Sequence, residues 1–338
     1  MRFIAKHFKV TAKQMTQLQV SEYFPFPLKL FFPGVKYGFK IYLENEPGKY
    51  GVLKKPDQEL SRQEMQQMRQ MGITRLYVDA LDRLRFVNET SEILTKSLEK
   101  DDLTVGERVA MTQVAFDIVS DLASKVGIDQ HTYELAHASI GSMQKIVKNI
   151  PDLDSMLSEL MKNESGYRYK HSLMICLVGT RIIEILKWGN QDQINKLSFV
   201  AFFHDITLGS DAHAKIHSMG QLKAAAQNLS EDQVFKIKSH ALDAAKLVSM
   251  YPKFPMGADT IIKQHHGSKS GVGFDKISLN ISPLSIIFIM AEEWVTFTLE
   301  SHEKGIKLSK DKVIQHLSKK YNLPRFKEYF YALNQLNI

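Results

Sequence analysis

The sequence predicts an α+β protein: a small α/β module over residues 1–95, followed by an all-helical domain over residues 100–338. Three observations carry this. Up to about residue 90, apolar residues come in short aromatic and β-branched runs cut by Pro and Gly, as strands and turns do. Beyond about residue 91 they recur every three or four positions, the period of an amphipathic helix. No run between 95 and 338 reads as a strand.

Taken in order, "FPLKLFF", "YGFKIYL", "YGVLKK" and "ITRLYVDA" are the strand candidates, with Pro33-Gly34 and "NEPGK" among the turns between them. "SRQEMQQMRQMG" reads as the module's one helix. Ser61 is its N-cap, Glu64 completes a capping box and Gly72 ends it. "LEKDDLTVGE" is a plausible hinge near 98–107. Helices are then expected over 105–127, 130–149, 152–163, 167–187, 192–207, 231–250, 257–266, 283–300 and 309–320, with Gly, Pro, Asn and Asp between them.

The 338 residues are 44% apolar, enough for a large core without disulfides. The single cysteine, Cys176, fits a reducing compartment. A net charge of +7 favours anionic partners, yet the lysines are scattered rather than massed as for a nucleic-acid polymer. No apolar run is long enough for a membrane span, and Lys6, His7 and Lys9 interrupt the N-terminal run where a secretory signal would be continuous. A cytoplasmic protein is expected.

Of twelve histidines, five stand where a helix should face the core. His171 extends the stripe Met174, Ile175, Val178, Ile182, Ile185 back by one turn. His204, with Asp205 beside it, follows Ile194, Leu197 and Ala201; His240 follows Ile237 and precedes Ala244 and Val248. His265 and His266 follow Ile261 and Ile262 by four and open onto "GSKSGVGF". One inward histidine is usually a hydrogen-bonded core residue. Five around a carboxylate are what a divalent transition metal asks for. A carboxylate has two oxygens, so Asp205 can bridge two ions. Two dications also call for a second anion. The stripe 286, 289, 290, 293, 297 points Glu293 rather than Glu292 inward. His213 and His217, in "GSDAHAKIHSMG", lie on a loop that could fold over the site; the other histidines read as surface or structural.

These residues, in this order, resemble the HD superfamily of metal-dependent phosphohydrolases, and more closely its HD-GYP branch, which hydrolyses cyclic di-GMP. "YKHSL", "FFHDI", "KSHAL" and "QHHG" carry the resemblance over about 160–300, and "GVGF" stands where that branch has Gly-Tyr-Pro. The N-terminal module is similar to the small domain that often precedes the catalytic unit. The resemblance implies an HD-type helical domain with two divalent ions, iron or manganese. Asp205 would bridge them, His171, His204, His240, His265 and His266 would ligate, and Glu293 would stand near the final acidic ligand, ten residues after Pro283. It implies catalysis centred on His204 and Asp205, opening cyclic di-GMP or a related nucleotide.

The departures from the branch lie around the substrate. Thr207 and Leu208 replace Gly-Lys after the His-Asp pair; Gly267, Ser270, Phe274 and Asp275 replace Glu, Asp, Tyr and Pro in the loop. Tyr167 replaces the Glu that recruits a third ion in some members, so two ions are expected. Arg-Pro-Tyr-Arg after the last ligand is missing. Lys215, Lys263 and Lys269 could take over phosphate contacts, and Phe274 keeps an aromatic face. Three readings follow: a divergent phosphodiesterase, a degenerate receptor or scaffold that binds nucleotide or protein partners through the GVGF loop or the N-terminal module, or another HD phosphohydrolase acting on a different nucleotide, against which the glycine loop after His266 argues.

Overall fold

The computed structural model describes residues 22–125, 127–251, 253–274 and 281–336. The N-terminal run considered as a leader, and Asp275, lie outside them. The chain divides into two compact units between Thr90 and Ser91.

The first unit is a four-stranded antiparallel sheet in the order β1-β4-β2-β3: β1 (Tyr23–Pro27), β2 (Ile41–Glu46), β3 (Lys49–Lys54) and β4 (Arg75–Asp79). β4 is central, and its Leu76 and Val78 are fully buried. The run "FPLKLFF" is mostly not strand. β1 stops at Pro27, and Leu28–Leu30 turn as a short 3-10 helix that buries Leu28 and Leu30. Prolines at 25 and 27 have no N–H to give a ladder, and β1 is an edge strand, where that is tolerated. Helix α1 (Arg62–Gln70) carries the expected capping box, Ser61 Oγ accepting from Glu64 N–H and Glu64 accepting from Ser61 N–H. Gly72 closes it at φ +75°. A helix that the sequence did not suggest, α2 (Arg83–Glu99), contains the division between the units. Its Phe86 ring sits 4.3 Å from Phe26 and 4.7 Å from Phe31, at the centre of this unit's core.

The second unit is helical: α3 (Val105–Lys125), α4 (Gln130–Asn149), α5 (Leu153–Lys162), α6 (Tyr167–Ile185), α7 (Gln191–Phe203), α8 (Asp211–Ala214), α9 (Met219–Ala225), α10 (Glu231–Ser249), α11 (Ala258–Gln264), α12 (Pro283–Glu303), α13 (Lys310–Lys320) and α14 (Lys327–Gln335). No strand occurs in it among the described residues. Helix α6 packs against α4, α5, α7, α12 and α14, and is buried on all sides from His171 to Thr180. Gly179 lets α7 approach it: a Cβ there would lie 2.6 Å from Leu197 Cδ2. Helix α7 ends at Phe203, short of the expected 207. The chain then tightens, Ile206 N–H bonding Phe203 O at 3.1 Å and Leu208 N–H bonding Asp205 O at 3.0 Å. That places His204 and Asp205 on a buried turn. No described helix is long and apolar enough to cross a membrane.

Candidate metal centre

Four elements of the helical unit bring the five expected histidines together. His171 lies in α6, His204 caps α7, His240 lies in α10, and His265 and His266 end α11. His171, His204 and His265 are at most 1% exposed, and Asp205 is 5% exposed.

Asp205 is the centre of the cluster. Its Oδ2 lies 3.3 Å from His204 Nε2 and 3.9 Å from His171 Nδ1. Its Oδ1 lies 3.3 Å from His240 Nε2 and 3.8 Å from His265 Nε2. Each oxygen therefore faces its own pair of imidazoles.

The backbone sets the ring tautomers. His204 Nδ1 lies 3.0 Å from Ala201 O, His240 Nδ1 2.6 Å from Ile237 O, and His265 Nδ1 2.6 Å from Ile262 O. Carbonyls only accept, so each Nδ1 carries the proton and each Nε2 presents a lone pair. Yet His240 Nε2 lies 3.1 Å from His265 Nε2 and 3.0 Å from His266 Nε2. His240 and His265 thus face one another lone pair to lone pair with no proton between them, while His266, whose Nδ1 lies 3.8 Å from Glu292 Oε1, can donate its Nε2–H to His240. An extra proton would have to be buried as an imidazolium, and burial, the largest influence on His265 and His266, pushes both well below the ordinary histidine value. A cation satisfies the arrangement; a proton does so poorly. Three further buried atoms, His171 Nδ1, His204 Nε2 and Glu292 Oε1, have no hydrogen-bond partner. His171 Nε2 lies 3.1 Å from Thr296 Oγ1, which leaves Nδ1 as its donor atom. Imidazoles oriented by carbonyls or hydroxyls around a carboxylate are suited to a divalent metal, and this donor set fits one.

The acidic residue that faces the cluster is Glu292, not Glu293. Glu292 is 4% exposed, with Oε1 3.8 Å from His266 Nδ1 and 4.0 Å from His217 Nδ1. Glu293 turns away to pair with Lys320. The expected stripe failed because α12 buries almost every position from 284 to 292, so apolar residues could not mark the inner face. The face is set by i+4 spacing: Phe288 packs 5.2 Å from the His204 ring, Glu292 points in, and Thr296 meets His171. Burial, with Asp205 and Glu293 nearby, pushes the Glu292 carboxyl well above its usual range.

The glycine loop is fastened to the helix that carries His240. Gly273 N–H bonds Lys238 O at 2.7 Å, and Leu242 N–H bonds Gly271 O at 3.1 Å, bracketing His240. Thr207 Oγ1 bonds His240 O at 3.2 Å. Gly271 has φ +73°, and a Cβ there would meet Leu242 Cα at 3.2 Å and Lys263 Cγ at 2.8 Å, so only glycine allows the approach. Gly267, directly after His266, also has φ +79°. Phe274 lies with its ring 4.5 Å from His266 and 6.1 Å from His240.

The lysines are less engaged. Lys215 pairs with Glu303 at 2.7 Å and lies 5.3 Å over the Tyr167 ring; Lys269 is exposed. Leu208, where the resemblance would place the phosphate lysine, is 3% exposed. Two residues not marked as site residues from sequence join the cluster: Thr296 and His217, the latter with Nε2 2.8 Å from Tyr167 Oη. The nearness of "AHAKIH" to the His-Asp pair places His217 on a loop that could fold over the site, without marking it as a ligand.

No family model matches the chain. No curated protein matches it either. Among solved structures it is similar to one described as Bd1817, a HDG"Y"P protein from Bdellovibrio bacteriovorus, with 14% identity and a TM-score of 0.53 over 92% of this chain and 98% of that one. At that identity the likeness is one of fold: a small α/β module followed by a helical unit.

Proposed function

We propose that the chain is a cyclic di-GMP phosphodiesterase-type signalling protein, with a two-metal site in its helical unit that opens the cyclic dinucleotide to the linear form and then to GMP. The observation that carries this reading is the division of Asp205 between two pairs of imidazoles. One ion would take His171, His204, Glu292 and an Asp205 oxygen; the other would take the second Asp205 oxygen with His240, His265 and His266. Bound iron or manganese would bring the pKa of a shared water toward neutrality and offset charge growing on the phosphoryl oxygens. The chain's part is to hold imidazoles and two carboxylates in fixed directions in a buried cluster. Phe274 offers an aromatic face beside His266, and Lys215 and Lys269 are the substrate-binding candidates carried from the sequence.

A second reading has its own support. Leu208 is buried and apolar, and Lys215 is already paired. A receptor or scaffold that holds metal and nucleotide without useful turnover is consistent with that. The N-terminal unit would then regulate or recruit partners.

The test is to purify the protein without oxygen, count its iron and manganese, incubate it with cyclic di-GMP and separate the products. Linear dinucleotide or GMP, lost in the His204→Ala/Asp205→Ala variant, is expected. A metal-loaded protein that binds the nucleotide but forms neither product selects the receptor.

A further inference from the structure

His217 stands on the loop between α8 and α9, and that loop is fixed at both ends. Asp211 accepts from Tyr167 N–H at 2.7 Å and Arg168 N–H at 3.3 Å, at the start of α6. On the other side, His217 N–H bonds Gln221 Oε1 at 2.8 Å, and Gln221 Nε2 bonds Glu300 Oε1 of α12 at 3.1 Å. Lys215 ties the same loop to Glu303. The ring is placed with equal care. Its Nε2 lies 2.8 Å from Tyr167 Oη, its centroid 5.2 Å from that of His171, and its Nδ1 4.0 Å from Glu292 Oε1.

The 4.0 Å gap decides between two roles. A histidine present only to satisfy Glu292 would close to hydrogen-bond distance, about 2.7–3.2 Å. It does not, and Glu292 Oε1 is left buried without a hydrogen-bond partner, as is His171 Nδ1. Two donors each about 2.1 Å from a shared ion lie roughly 3–4 Å apart. His171, His217 and Glu292 can each present a donor atom within 4.8 Å of the others.

We propose that His217 is a metal ligand, binding through Nδ1 the ion that His171 and Glu292 hold, with its Nε2–H donated to the Tyr167 hydroxyl. One imidazole lone pair serves one ion, so His171, which also groups with His204 and Asp205, makes this the ion on the Oδ2 side of the bridge. Tyr167 is then a positioning residue. Its hydroxyl, 2.8 Å away, can accept from Nε2–H and so leave the Nδ1 lone pair for metal. The inference rests on the reading that the cluster holds metal.

The test uses Co(II) as probe on the full-length, metal-free chain. The unsubstituted protein is expected to take two ions. His217→Ala should weaken one of the two more than Tyr167→Phe does, the latter by about tenfold. In His217→Cys the sulfur lies close to where Nδ1 was, one bond nearer the backbone, and a thiolate-to-cobalt charge-transfer band should appear in the near ultraviolet. The unsubstituted protein is a clean control because its single cysteine, Cys176, is buried and hydrogen-bonded to Ser198. Unchanged affinity in folded His217→Ala, or Co(II) uptake by His217→Cys without the band, overturns the assignment and leaves the two-metal reading standing. No uptake by the unsubstituted protein overturns both. Should His217→Ala fail to fold, the band in His217→Cys decides.

Discussion

An imidazole that has given its Nδ1–H to a carbonyl has one lone pair left to offer. In this protein several such lone pairs converge on one carboxylate, and that convergence has consequences for titration. Burial, with neighbouring imidazoles, holds His171, His265 and His266 well below their ordinary value of 6.5, and burial holds His217 down at about 4. Their folded values lie below their unfolded ones, so the unfolded chain binds more protons on acidification. In metal-free protein the stability tied to their neutral state is full above about pH 6.5 and is lost as pH falls toward 4. Glu292 acts in the opposite sense. Its folded value is raised, so the folded chain holds the extra proton and this contribution is lost as pH rises above about 4.5. Glu292→Gln should therefore raise metal-free stability at neutral pH by on the order of 1–3 kcal/mol, while weakening metal uptake. Urea midpoints of chelator-treated protein between about pH 5 and pH 8 measure both slopes. The same substitution at Glu293, which pairs with Lys320, should leave metal uptake unchanged.

Helices position these residues, and their periodicity was legible wherever one side of the helix meets water. Helices α3, α4, α10 and α13 lie close to the expected spans. Periodicity says little where a helix is surrounded, as Glu292 and Glu293 in α12 make plain. It also missed α2, where buried Thr90 and Ser91 interrupt the inward stripe of Phe86, Leu94 and Leu98. The histidines of the cluster were legible because a metal asks for residue type at few positions. His217 was legible only through the nearness of its loop to the His-Asp pair, because a loop has no period to point a side chain inward. The tight seams between elements are sensitive to single methyl groups. Gly271→Ala puts a Cβ against Leu242 Cα at a φ of +73° and should cost about 1–3 kcal/mol, with metal lost first from the side held by His240, His265 and His266. Denaturant unfolding together with metal counting would detect it. Gly179→Ala, pressing on Leu197 between α6 and α7, should cost a similar amount without acting on the loop.

Over 92% of the chain, fold likeness reaches a TM-score of 0.53 at 14% identity. Cores accept many apolar solutions of similar volume, so architecture outlasts sequence. Metal should contribute to the stability of the whole. At about 100 times its dissociation constant, an ion that binds only the folded state adds about 2.7 kcal/mol. For a helical unit of this size that corresponds to a rise of about 5–10 °C in Tm. Differential scanning calorimetry with and without chelator is the measurement, and the shift should vanish in the His204→Ala/Asp205→Ala variant.

The seam between the glycine loop and α10 carries an implication for information flow. Val272 sits exposed between Gly271 and Gly273, the residues whose backbones clasp the helix on either side of His240. A grip on that one side chain from outside is thus a grip on the metal shell, through two backbone hydrogen bonds. Such linkage is reciprocal: a metal ion that firmed the cluster would firm the loop, and whatever pries Val272 loose would weaken that ion's binding by the same free energy.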